Sequence, residues 1–100
     1  MDKKLAKDVM MSIGHEYGYE VYDGGSEIEI YFAREKHGIA FKIKDPTHAK
    51  AKEGNWLQVH HWEGESGEYG PALHSLRTMG DVIAFTQTLI TFSNIKSKRL

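Results

Sequence analysis

The tightest constraint on this chain is a run of strict alternation in its first half. In Glu27-Ile28-Glu29-Ile30-Tyr31-Phe32, apolar Ile28, Ile30 and Phe32 alternate with Glu27, Glu29 and Tyr31. A period of two sends successive side chains to opposite faces of a strand. After Glu35-Lys36-His37-Gly38, read as a tight turn, a second stretch puts Ile39, Phe41 and Ile43 on one face and Ala40, Lys42 and Lys44 on the other. A third stretch, 17–23, precedes the first across Gly24-Gly25. Glycine there supplies the positive φ that two-residue hairpin turns require. Three strands joined by two turns predict an antiparallel meander.

The turns also predict a register. With Lys36 and His37 as the loop, Phe32 faces Phe41 and Ile30 faces Ile43, while Glu29 meets Lys44 and Tyr31 meets Lys42 on the reverse face. With Gly24 and Gly25 as the loop, Val21 faces Ile28 and Tyr19 faces Ile30. Glu20 opposite Glu29 is the one unfavourable pair. A slip of one residue would exchange the two faces wholesale.

Around this meander the spacing predicts a helix over 2–13, with Leu5, Val9 and Ile13 on its apolar stripe, Met10 beside them and Gly14 ending it. Asp45-Pro46 breaks the third strand, because proline cannot donate to the ladder. A loop or single helical turn over 47–54 follows, then a fourth strand over 55–63. Residues 64–71 read as a glycine-rich loop, and 72–76 as a short fifth strand. The last element is a helix over 79–93. Thr78 and Asp81 form a capping box at its start, and Val82, Phe85, Leu89 and Phe92 follow helical spacing. The expected fold class is therefore α+β. An N-terminal helix, a four- to five-stranded antiparallel sheet in mostly meander order and a C-terminal helix on one sheet face make one domain over 1–100, with a basic, frayed tail over 95–100.

Composition narrows the function classes. At 100 residues, 40% hydrophobic and 27% charged, the chain suits one globular core. There is no cysteine, which removes disulfide scaffolds, thiolate metal sites and cysteine nucleophiles. The apolar stretch Val9-Met10-Met11 is too short for a secretory leader, and no run approaches a membrane span. A cytoplasmic protein with no membrane partner is expected. A formal net charge of −1 suits neither a phosphate-coating protein nor an acidic nucleic-acid mimic.

Six histidines invite a search for a metal site. His60 and His61 are neighbours on a strand and diverge, and no H-x-H, H-x₃-H or HExxH spacing is present. Neither a metal nor a cofactor is expected. Gly64, Gly67 and Gly70 recur every third residue, but proline follows, and Glu63, Glu65 and Glu68 would repel a phosphate. Ser75 beside His74 points the other way on a strand, so it is no nucleophile–base pair. Glu27 and Glu29 share a face with Lys42 and Lys44, which makes ion pairing a better account of them than paired-carboxylate chemistry. No catalytic residue is assigned.

The sheet face away from the apolar core holds the candidate binding residues: Tyr22, Tyr31, Lys42, Lys44, Trp56, Gln58, His60 and Trp62. Large amphipathic rings among charges are typical of binding hot spots. His60 between the tryptophans implies binding that varies between about pH 6 and 7. Three other accounts of these rings compete: the N-terminal helix covers the face, the fourth strand is flipped, or the face is a homodimer seam. The expected function is a non-enzymatic protein-interaction module of the small inhibitor, immunity or adaptor type. The alternative is a single-stranded nucleic-acid-binding domain, since rings interleaved with lysines make a stacking platform. A metal-dependent enzyme is a distant third.

Overall fold

The computed structural model describes residues 1–32, 40–46, 55–63 and 68–99. Its elements run α1 (Lys3–Glu16), β1 (Glu20–Asp23), β2 (Glu27–Tyr31), β3 (Ala40–Lys44), β4 (Leu57–Glu63), β5 (Glu68–Leu76) and α2 (Met79–Arg99). The strands form one five-stranded antiparallel sheet in the order β1-β2-β3-β4-β5. This is the expected α+β meander. The turn expected at 35–38 and the loop expected at 47–54 lie outside the described residues.

Both helices lie on the same side of the sheet. Ala6 and Met10 of α1 and Val82, Phe85 and Leu89 of α2 join Ile28, Ile30, Phe41, Ile43, Leu57, Val59 and Leu76 in a single core. Phe41 is its aromatic hub, edge-on to Phe85 at 5.2 Å and stacked with Phe92 at 6.4 Å. Tyr19 ties the layers together, donating its hydroxyl to the Leu89 carbonyl at 2.7 Å and stacking on Phe32 at 4.1 Å. Burial pushes the Tyr19 phenol well above its ordinary pKa, so it remains a neutral donor.

The face assignment of the first three strands holds, but both hairpin registers differ from expectation by two residues. Ile30, not Phe32, faces Phe41, and Ile28 faces Ile43. On the first hairpin Val21 faces Ile30 and Glu20 faces Tyr31. A slip of two preserves every face, so hydrophobic alternation does not resist it. Charge and turn chemistry do. The observed register sets Glu27 against Lys44 and Glu29 against Lys42, two opposite-charge rows where the expected one had a single row. It also separates Glu20 from Glu29. The Asp23 carboxylate accepts the Gly25 amide at 2.9 Å, and Gly25 takes a φ of 83°. The first turn is thereby centred one residue later than Gly24-Gly25.

The helices correct the expectation in a different way. α1 continues through Gly14 to Glu16; it buries Ala6, Met10 and Gly14 most deeply, while Val9 and Ile13 of the expected stripe pack half-buried against the core. Leu5 is 50% exposed. The cause is close approach. A Cβ on Gly14 would lie 3.0 Å from the Val21 Cγ2 and 3.3 Å from that of Ile30, so the smallest residues must form the centre of the contact. Gly18, at φ 84°, supplies the helix stop instead. The Tyr19 amide donates to the Gly14 carbonyl and the Gly18 amide to that of His15, the paired bonds of a Schellman ending.

At the other end of the chain, α2 runs to Arg99, past the predicted end at 93. Its capping box is formed: the Asp81 amide donates to the Thr78 hydroxyl at 3.2 Å, and the Asp81 carboxylate accepts the Thr78 amide at 3.2 Å and the Arg77 amide at 2.9 Å. β5 begins at Glu68, so part of the predicted 64–71 loop is strand. Pro71 fits there because β5 is an edge strand whose pairing with β4 shifts twice.

Candidate functional site

The sheet face away from both described helices is built in rows that cross the strands. One row reads Tyr22–Glu29–Lys42–His60–Ala72 across β1 to β5, and the next reads Glu27–Lys44–Gln58–Ser75 across β2 to β5. Glu29, Lys42 and Gln58 stand there because their strand neighbours, Ile28 and Ile30, Phe41 and Ile43, Leu57 and Val59, are core residues facing the helices. The N-terminal helix does not cover this face, and β4 is not flipped, since Leu57 and Val59 are both in the core.

Lys42 sits at the centre, only 8% exposed, and among the described residues neither helix lies above it. Its ammonium is 3.6 Å from a Glu29 carboxylate oxygen and 3.9 Å from one of Glu27. Lys44, beside Glu27 and Gln58, is half-buried. The His60 ring spans two groups, with Nδ1 3.3 Å from the Gly70 carbonyl and Nε2 3.3 Å from the Gln58 side-chain oxygen. Tyr31 is opposite Glu20. Its pKa is raised, first by burial, then by donating to the Glu20 carboxylate and by the nearby negative charge of Glu20 and Glu29. Tyr22, on the edge strand, is 56% exposed.

Trp56 stands just before β4, half-buried, with the Arg77 guanidinium carbon 4.3 Å from its ring centroid. This cation–π contact closes one corner of the face. Trp62 pairs with Tyr69 through the backbone; its side chain lies outside the described residues. The face thus gathers Tyr22, Tyr31, Lys42, Lys44, Gln58 and His60, with Trp56 at its margin. Arg77 and Ser75 were missed by sequence reasoning. The signal was present: Leu76 is the apolar residue at the end of β5, so its two neighbours belong to the opposite face.

The other candidate chemistry disperses. His60 is opposite Lys42 and His61 opposite Phe41, on different faces. His74 is opposite Val59, on the helix side, with its ring 5.9 Å from Phe85, while Ser75 is opposite Gln58 on the open side. A shallow groove of about 180 Å³ between β5 and α2 is lined by His74, Leu76, Asp81, Phe85 and Thr88 among others. Its carboxylate, Asp81, is held by the helix cap. Among the described residues no group of three or more histidine, aspartate or glutamate side chains is placed to hold a metal ion. No helix among them is long and apolar enough to cross a membrane. Comparison with protein-family models, with curated proteins and with solved structures found no match.

Proposed function

We propose that this chain is a non-enzymatic protein-interaction module, of the small inhibitor, immunity or adaptor type, that binds a protein partner through its helix-free sheet face. The observation that carries this reading is the row Tyr22–Glu29–Lys42–His60, which lies opposite both helices with its central lysine fixed by two carboxylates and its outer tyrosine largely exposed. A fixed pattern of charge flanked by an exposed ring offers specificity without a pocket or a reactive group. A chain without cysteine needs no oxidising compartment, which supports a cytoplasmic setting.

The carboxylates of Glu20, Glu27 and Glu29 on this face favour a protein over a polyphosphate chain. The test places a photo-crosslinking residue at Tyr22 or Ser75 on the open face, and at Leu5 or Ile83 on the helix layer, in the full chain inside cells. Crosslinks to polypeptide from the sheet positions alone are the expected result. Crosslinks from the helix layer alone would overturn it. Tight binding of a fluorescent single-stranded oligonucleotide that weakens steeply with salt would replace it with the nucleic-acid reading.

A further inference from the structure

The α2 helix is pinned to the rest of the chain at two points of different kinds. At its start the Thr78–Asp81 capping box is local, and only two residues separate β5 from the helix. The second point is reached across most of the chain. The Tyr19 hydroxyl donates to the Leu89 carbonyl and the Ser93 hydroxyl donates to the Tyr17 carbonyl, each at 2.7 Å. Leu89 and Ser93 stand four residues apart, so they share one face of α2. The two bonds form a reciprocal clamp between one turn of α2 and the three-residue connection from α1 to β1.

Each side of the clamp has a local cause. Tyr17 caps α1, so its carbonyl is one that the helix leaves without an internal partner. Gly18, at φ 84°, turns the chain so that Tyr19 enters the core and stacks on Phe32. On α2, Ser93 is buried, whereas Asn94 and Ile95 beyond it are exposed. Serine is a mediocre helix former, and a buried hydroxyl without a partner costs stability. The bond to Tyr17 accounts for a serine at this place.

At 1.5 Å per residue the clamp lies about 15–20 Å along α2 from the cap. The cap fixes where the helix starts, and the clamp fixes its direction. Val82 and Phe85 are buried between the two, and at the clamp Phe92 stacks with Phe41 at 6.4 Å. We infer that α2 is a hinged arm. Its first turns stay docked through the cap and through Val82 and Phe85. From Leu89 onward it is latched by the Tyr19 and Ser93 hydroxyls and opens as a unit when they let go. Opening uncovers Phe92, the face of Phe41 on which it stacks, and the Tyr19 hydroxyl. This device is independent of the role given to the opposite face of the sheet.

Residue-resolved hydrogen exchange of the full chain reads the latch directly. In the natural sequence the amides of 90–95 should exchange through an opening less sensitive to urea than that of β2 and β3, because it exposes less surface. Tyr19→Phe keeps the ring on Phe32 and removes only the hydroxyl, and Ser93→Ala places a better helix former in α2. Each should speed exchange at 90–95 about three- to tenfold, the change expected for one lost hydrogen bond. The amides of 82–86 and of β2 and β3 should keep their natural rates. Helix propensity alone would slow exchange in Ser93→Ala, so the sign separates the latch from intrinsic helicity. A urea dependence at 90–95 equal to that of the sheet overturns the proposal. So does faster exchange spread evenly over sheet and helices in the variants, or no change at 90–95.

Discussion

On the helix side of the sheet, Ile28, Ile30, Ile43, Leu57 and Val59 are sealed beneath Ala6, Met10, Val82, Phe85 and Leu89. On the other side the same strands carry Glu27, Glu29, Lys42, Gln58 and His60, away from both described helices. The two faces become ordered by different means. The helix side excludes water by adding a layer. The other side holds Lys42, 8% exposed, against the Glu27 and Glu29 carboxylates. A solvated face without purpose would let a lysine extend into water, since a surface ion pair contributes little once the entropy of fixing it is counted. Here the cation is held between two carboxylates at a fixed place on the sheet.

The contrast predicts how substitutions should differ between the faces. The largest effect belongs to Phe41→Ala, expected to lose about 3–5 kcal/mol in urea denaturation. Phe41 touches Phe85 and Phe92 of α2, so its removal empties the centre of the contact between layers. For a domain this small that approaches the whole stability. A loss below about 1 kcal/mol would show that the helix layer is not what holds the sheet.

Lys42→Met comes next and probes the open face on its own terms. It keeps most of the aliphatic stem and removes the charge, leaving Glu27 and Glu29 on the same face without their shared cation. A loss of about 1–3 kcal/mol is expected, smaller than that of Phe41→Ala because the carboxylates keep some access to water. A stability equal to or above that of the natural sequence would mean the ion cluster is held for recognition alone, and would sharpen the contrast between the faces.

How much of this was legible in the sequence follows from which force sets each feature. Alternation fixes parity, so Ile28, Ile30, Phe41 and Ile43 were read onto the correct face. Parity is blind to a shift of two, and both hairpins used that freedom. The deciding factors were the Asp23 carboxylate bound to the Gly25 amide and the doubling of Glu–Lys rows, each weaker than hydrophobic burial. The capping box at Thr78 and Asp81 was legible because both partners are local. Gly14 was misread because a helix-ending glycine and a close-contact glycine look alike until the neighbouring sheet is known. The residues of the second face were legible, but that both described helices pack on the opposite face was not, because helix placement is set by tertiary contact rather than by strand parity.

The cap provides a smaller effect, confined to the helix layer. Thr78→Ala should lose about 1 kcal/mol. Asp81 adds a pH dependence. Its carboxyl is held below the ordinary carboxylate range, first by the Arg77 amide and then by that of Thr78. A depressed folded pKa contributes stability above the unfolded value, near 3.9, and that stability is lost as pH falls through the lower folded value. Melts between about pH 5 and pH 2 should therefore show a shallower acid decline in Asp81→Asn than in the natural sequence. Parallel declines would show that the cap is not coupled to global unfolding.

The smallest expected effect on stability is also the sharpest test of the contrast. Tyr22 lies on the edge strand at 56% exposure, opposite Glu29 and outside the core cluster. Tyr22→Ala removes a ring that shields little of the folded chain, so the stability change should stay within about 0.5 kcal/mol. A large exposed ring is retained at low entropy cost, because only two side-chain torsions must be fixed when it is buried by a partner. The same variant should therefore lose most of the partner crosslinking read from Ser75 while its melting temperature hardly moves. Phe41→Ala must show the reverse dependence, with crosslinking failing only as the fold fails. If Tyr22→Ala instead melts several degrees lower with its crosslinking intact, the ring belongs to the fold, and the two faces of the sheet differ in composition but not in role.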